Sequence, residues 1–251
     1  MNPILFVGLL ALGWAAGLTV NYLADVLPRT RSFSRPVCRW CEQPLAWRDY
    51  LLLRRCGSCR RGRAWRVWVV QGTAMVLTLF LGWLPQMTGK TGFWPGLALL
   101  VYFGVVIVID MEHHLILHPV SLVGAVICGW IGFTRHGPLE TALGGAAGFG
   151  FMLVVYWLAA VFIRWVRRRR GMVSDEEAMG FGDVSLSGVL GLLLGWPGIA
   201  AGLILAFLLA GLGSLMVIAV LASQRKFEAF GTFIPYGPYL VLAAALLIFQ
   251  G

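Results

Sequence analysis

Met179-Gly180-Phe181-Gly182-Asp183 steps from a pair of glycines onto a carboxylate and runs straight into the apolar stretch 184–196. Glycine has no Cβ, so it permits close backbone approach and unusual dihedrals beside a reacting group. A carboxylate at the edge of a helix buried in hydrocarbon is costly, which marks it as a functional candidate. The plainer reading is an N-cap aspartate, and the position suits that equally. A second acidic cluster, Asp110-Met111-Glu112, also closes an apolar run. Two aspartates at matching ends of apolar helices point to acid–base chemistry on a membrane scaffold.

Composition supports that scaffold. The 251 residues are 59% hydrophobic and 12% charged, with a mean hydropathy of +0.81. A water-soluble domain carries far more charge, so the chain reads as a polytopic membrane protein. The apolar runs are long and uniform, without the dyad alternation of barrel strands, which selects an all-α fold. Eight transmembrane helices are expected, at about 4–27, 67–85, 93–110, 119–134, 139–164, 184–196, 199–222 and 236–250. Met1-Asn2-Pro3 carries no basic region and the apolar run continues to about Leu27, so the first helix is expected to stay in the membrane rather than be cleaved.

The net charge of +9 is explained by topology. Residues 28–66 hold eleven Arg and residues 164–170 five more, while Arg225 and Lys226 add two. With eight spans these three segments share one side, leaving only Lys90 and Arg135 on the other. Eighteen of twenty basic residues therefore mark the cytoplasmic face, and both termini lie outside. Nucleic acid is not needed to explain the charge. The sixth span, 13 residues long, reaches about 20 Å against a hydrocarbon core of about 30 Å. Asp183 is accordingly expected in a recessed, water-filled notch, with Gly180–Gly182 non-helical and lining it.

Cys38-Arg39-Trp40-Cys41 and Cys56-Gly57-Ser58-Cys59 are two C-x2-C pairs separated by fourteen residues. That spacing suits four thiolates around one Zn²⁺, and a closed Cys₄ set is structural rather than catalytic. The metal would fold a small module that cannot build a core of its own. A redox pair or four unligated thiols are the alternatives. Cys128, alone in an apolar span, reads as a small core residue. Trp40, Trp47, Trp65 and Trp68, among the arginines of this loop, read mainly as an interfacial belt.

Asp110 and Asp183 lie 73 positions apart, yet the span count puts both at the cytoplasmic ends of their helices. Peptide hydrolysis by such a pair needs one ionised and one protonated carboxyl, a state that two close carboxylates adopt by sharing a proton. No HExxH sequence offers a catalytic metal. Glu112, His113 and His118 form a conceivable second metal set, though an interfacial turn carries histidines readily. Glu112 either tunes Asp110 or faces water. Asp175-Glu176-Glu177 reads as a solvated loop.

Together these residues resemble the type IV prepilin leader peptidases, a family of GxGD membrane aspartyl proteases, over nearly the whole chain. Gly180-Phe181-Gly182-Asp183, with its Glu177-Ala178-Met179 approach, matches the GxGD; Ile109-Asp110-Met111-Glu112-His113 is similar to the first aspartate motif. The cysteine loop looks like the bacterial members' cytoplasmic domain, and Ile234-Pro235-Tyr236-Gly237-Pro238-Tyr239 like the segment before the last helix. Asn21 and Leu27-Pro28 sit where the first-helix signature ends. The resemblance implies catalytic roles for Asp110 and Asp183, an active-site loop at Gly180 and Gly182, and Zn²⁺ on Cys38, Cys41, Cys56 and Cys59. It also implies removal of a short basic leader from pilin or pseudopilin precursors at the inner membrane's cytoplasmic face. In many members N-methylation with S-adenosylmethionine follows.

At four places the chain departs from the family pattern. Ser185 replaces a lysine after the GxGD, and His118-Pro119 replaces the usual end of the first motif. Asp25-Val26 stands for Tyr-Arg, and Gln71 stands for an acid. The last two touch the part tied to methyl transfer. The expected organisation is a first helix (1–27), a Cys₄ loop (28–66) and a seven-helix peptidase domain (67–251). The sequence carries no indication of oligomeric state. A non-catalytic scaffold or transporter, or a protease of the signal-peptide-peptidase kind, are the competing readings.

Overall fold

The computed structural model describes residues 3–83, 91–170, 180–223 and 235–250. Its regular structure is helical: α1 (Pro3–Thr30), α2 (Trp47–Leu51), α3 (Trp65–Trp83), α4 (Phe93–His113), α5 (His118–His136), α6 (Pro138–Arg170), α7 (Phe181–Leu194), α8 (Gly198–Ser223) and α9 (Gly237–Gln250). Eight of these stand where eight spans are expected, and α2 belongs to the cysteine loop. By length and composition α1, α3, α4, α6 and α8 are able to cross a membrane, while Phe181–Leu194 and Gly237–Phe249 are shorter apolar helices. The remaining one, α5, is 19 residues long and is diluted by Ser121, Thr134 and Arg135. Glu177-Ala178-Met179, Asp175-Glu176-Glu177, Lys90, Arg225, Lys226 and Ile234 lie outside the described residues.

The chain packs as two compact units, 1–113 and 114–251. In the first, α1 packs on α3 and α4. Gly13 and Gly17, four apart on one face of α1, let α3 approach: a Cβ on Gly13 would lie 2.7 Å from Met75 Cα. Polar side chains tie the same pair of helices. Gln71 Nε2 donates to the Trp14 carbonyl at 2.7 Å, and Asn21 Nδ2 donates to the Val67 carbonyl at 3.3 Å. In hydrocarbon such interhelical bonds replace partners that water would supply elsewhere. The two signature positions Asn21 and Gln71 thus hold α1 against α3.

In the second unit α7 is central, with ten of its fourteen residues buried. It is packed by α5, α6, α8 and α9. Along the α6 seam Gly144, Gly145 and Gly148 meet Ser187, Gly188 and Gly191 almost backbone to backbone. A Cβ on Gly191 would lie 2.2 Å from the Gly144 carbonyl oxygen, and Ser187 Oγ donates to the Gly148 carbonyl at 3.0 Å. Small-residue faces of this kind gain van der Waals contact where no hydrophobic force draws helices together.

Two expectations are corrected. The helix after the GxGD begins at Phe181 rather than at Val184, so only Gly180 is extended (φ −72°, ψ 138°) and the rest of the motif is helical. Asp183 is therefore the third helical residue and not the cap, a place where the helix dipole favours a carboxylate. The arginine run 164–170, expected as a loop, continues α6 as helix.

Candidate active site and metal centre

In the first unit the apolar run Val105–Ile109 carries α4 to Asp110, which is buried, and the helix goes on through Met111, Glu112 and His113. Glu112 is paired and only partly exposed. Its Oε1 accepts from Arg39 Nη1 at 3.0 Å and its Oε2 from Arg66 Nη1 at 2.6 Å. Arg66 Nη2 also binds the Asp25 carboxylate, whose other oxygen accepts the Tyr50 hydroxyl at 2.9 Å. Four segments meet in this chain of charges: α1 through Asp25, the cysteine loop through Arg39 and Tyr50, α3 through Arg66, and α4 through Glu112. Asp25 had stood out only as a departure from a family pattern. The signal for its role was an acid in an apolar helix that lacks any other charge until Arg29.

The cysteine loop is built from two like turns. Cys38 N–H donates to the Gln43 carbonyl and Glu42 N–H to the Cys38 carbonyl; Cys56 and Arg60 repeat this with Arg61 and Cys56. Glu42 and Arg60 both take left-handed backbone, with φ of 55° and 53°. All four sulfurs lie within 4.8 Å of one another, with Cys38–Cys59 and Cys41–Cys56 at 3.7 Å. A tetrahedron with metal–sulfur bonds of about 2.3 Å has edges of about 3.8 Å, so the spacing fits one four-coordinate ion. A disulfide would need about 2 Å. Backbone N–H groups of Cys59 and Ser58 hold the Cys56 thiol down to about 6. At Cys41 the Gln43 N–H is outweighed by burial and the neighbouring thiols, which push that thiol up to about 12, so the four sulfurs crowd one another as shared ligands do. Among the described residues this is the one His/Cys/Asp/Glu cluster able to hold a metal, and the Glu112, His113, His118 set does not form another. Cys128 is buried in α5, apart from the cluster.

Arginines of the loop also have partners within it. Arg61 lies over the Trp40 ring at 5.1 Å and Arg63 over the Tyr50 ring at 4.5 Å. A cleft bounded by Asp25, Arg29, Trp40, Arg63 and Glu112 opens beside the cysteines. Trp40, Trp47, Trp65 and Trp68 are all exposed.

In the second unit Asp183 is buried in the first turn of α7. Its N–H donates to the Gly180 carbonyl at 3.2 Å. Phe181 is gripped edge-on by Phe149 and Tyr156 of α6, with ring centroids at 6.3 and 6.0 Å. Gly182 is needed for space: a Cβ there would lie 2.6 Å from Ile116 Cβ. Each unit thus presents one buried aspartate in the terminal turn of an apolar helix.

Residues 97–247 match the type IV leader peptidase family. The chain is 30% identical over 229 residues to a prepilin leader peptidase/N-methyltransferase of Stutzerimonas stutzeri, an alignment covering 85% of this chain and 71% of the relative. A protein of the same description from Pseudomonas aeruginosa is 30% identical over 234 residues, covering 89% and 70%. Another from Klebsiella pneumoniae is 27% identical over 222 residues, covering 80% and 89%. No solved structure matches the chain.

Proposed function

The chain belongs to the type IV leader peptidase family, and from that premise we propose that Asp110 and Asp183 together hydrolyse the leader junction of pilin or pseudopilin precursors. The observation that carries this reading is the pair of buried aspartates, each in an end turn of an apolar helix, at the two motif positions. Two carboxyls sharing one proton divide the work. The ionised one takes a proton from the attacking water, and the protonated one donates to the scissile carbonyl oxygen as the tetrahedral intermediate forms. Collapse of that intermediate returns a proton to the leaving amine. Gly180 and Gly182 form the active-site loop in this reading, and Gly182 lets the first turn of α7 pack against Ile116 beside Asp183.

The protein is a multi-pass inner-membrane enzyme in this reading. All eight helices that stand at the expected spans cross, the two 14-residue ones included, both termini lie outside, and the aspartates open to the cytoplasm, as the clustering of basic residues supports. The division into a first helix (1–27), a Cys₄ loop (28–66) and a peptidase domain (67–251) goes with it. Zn²⁺ on Cys38, Cys41, Cys56 and Cys59 would hold the loop in shape and take no part in hydrolysis. Asp25-Val26 and Gln71 depart from the family pattern in the part tied to methyl transfer with S-adenosylmethionine, so proteolysis is proposed as the primary activity.

The test is co-expression with a prepilin bearing a Gly–Phe leader junction, followed by intact mass of the pilin. Wild type removes the leader, and Asp110→Asn and Asp183→Asn leave the precursor whole. A further gain of about 14 Da on the mature pilin would report methylation. Cleavage that survives both substitutions would overturn the assignment.

A further inference from the structure

We propose that Glu112 is a positioning residue for Asp110, held by a strut that starts inside the metal-binding turn. The inference rests on the peptidase reading for what Asp110 does, and on the ion network for everything else. Arg39 lies between Cys38 and Cys41, so its backbone belongs to the ring that closes around the metal. Its guanidinium reaches Glu112 Oε1, and Arg66 holds Oε2. Glu112 and Asp110 share the last turn of α4, two residues apart. A terminal helical turn opens more easily than the middle of a helix, so its order depends on what ties it down.

The two arginines contribute differently. Arg66 has a side chain only 13% exposed and is braced by Asp25, so it supplies most of the hold. Removing one partner from such a pair leaves a desolvated charge behind. Arg39 is 56% exposed, and an exposed pair alone stabilises little. What Arg39 adds is a connection. A metal on the four thiolates would fix that turn beyond its own backbone bonds, and without it the link from the Cys₄ set to the Asp110 turn would loosen. Metal loading and the order of the Asp110 turn are in this way coupled through one carboxylate.

Hydrogen exchange read by mass spectrometry tests this on the full-length protein in detergent, with zinc bound and after chelation. Amide protection at 109–113 is followed in wild type, Arg39→Ala, Arg39→Lys and Glu112→Gln, together with metal content and with kcat and KM on a prepilin. Glu112→Gln should lower protection of that turn about tenfold, and chelation and Arg39→Ala each about two- to fivefold, as an exposed ion pair allows. In Glu112→Gln kcat should fall about ten- to a hundredfold with KM within about twofold, since a small misplacement of a reacting group has that effect. In Arg39→Ala it should fall in the same sense by about two- to fivefold. Arg39→Lys should recover part of both. Glu112→Gln lies outside the metal ring, so it reads the strut in a chain whose Cys₄ site is intact. Unchanged protection and unchanged kcat in metal-loaded Glu112→Gln would sink the proposal. A wild type that cleaves no precursor, yet whose protection at 109–113 still depends on metal and on Glu112, would sink the peptidase reading and keep the strut.

Discussion

Gly182 lies directly against Ile116, so that a Cβ on the glycine would sit 2.6 Å from Ile116 Cβ and 3.3 Å from its Cα. The first turn of α7 is thereby pressed onto the segment before α5, one residue ahead of Asp183. Gly180 is in a different position. A Cβ there meets nothing closer than the Gly182 nitrogen at 3.9 Å, and its backbone dihedrals are open to any residue.

The two glycines should therefore respond unequally to alanine. Gly182→Ala must displace Ile116 or the α7 turn, and a shift of about 1 Å at a reacting group lowers rates on the order of a hundredfold. Gly180→Ala should retain at least about ten times more activity than Gly182→Ala. Initial rates of prepilin cleavage, normalised to folded enzyme, measure this, and equal losses would refute the steric account.

The seam between α6 and α7 makes a prediction about stability rather than rate. Gly191→Ala places a methyl 2.2 Å from the Gly144 carbonyl oxygen, with backbone on both sides. Overpacking without a side chain that can yield is expected to destabilise the second unit by about 1–3 kcal/mol. A lowered melting temperature in detergent is the readout. Gly150→Ala, where a Cβ meets nothing within 4 Å, is the control and should melt like wild type.

Much of this was legible in the residues. Eight apolar runs became eight helices because hydrocarbon length and backbone satisfaction leave an apolar run few other forms. The C-x2-C pairs announced their cluster because metal geometry dictates their spacing. Helix ends were harder. Asp183 fell inside its helix because Phe181, read as part of a glycine loop, is anchored by Phe149 and Tyr156, and this tertiary contact leaves no local mark. The Asp25–Arg66–Glu112 chain was missed for the same reason: its members are 41 and 46 residues apart in sequence.

Tyr50 gives the cysteine loop a predicted response to alkali. Burial and the neighbouring Asp25 charge raise its phenol well above the usual tyrosine value. The folded state therefore holds the proton more tightly than the unfolded chain. Its contribution is complete below the unfolded value near 10 and is lost as pH rises above it. Tyr50→Phe removes the hydroxyl that donates to Asp25, at a cost of about 1 kcal/mol near neutrality. It should also flatten the loss of stability above pH 10. Unfolding followed by tryptophan fluorescence from pH 8 to 11 checks both, and identical pH profiles for wild type and variant would count against the role of the buried phenol.

Metal removal tests the cysteine cluster and separates structure from chemistry. Elemental analysis should find one zinc per chain, falling to background on Cys38→Ser or Cys56→Ser and unchanged on Cys128→Ala, because Cys128 lies apart from the four. A structural Cys₄ ion has no open coordination position for water or substrate. Its loss should loosen residues 36–64, raising their exposure to limited proteolysis, while packing along the α6–α7 seam stays unchanged. Prepilin cleavage should fall in the stripped enzyme and return on reloading. Cobalt should restore it as well as zinc does, with the intense thiolate-to-metal absorption of a tetrahedral site. If activity tracked the Lewis acidity of the reloaded metal instead of mere occupancy, the ion would be part of the reaction and the two-aspartate mechanism would be incomplete.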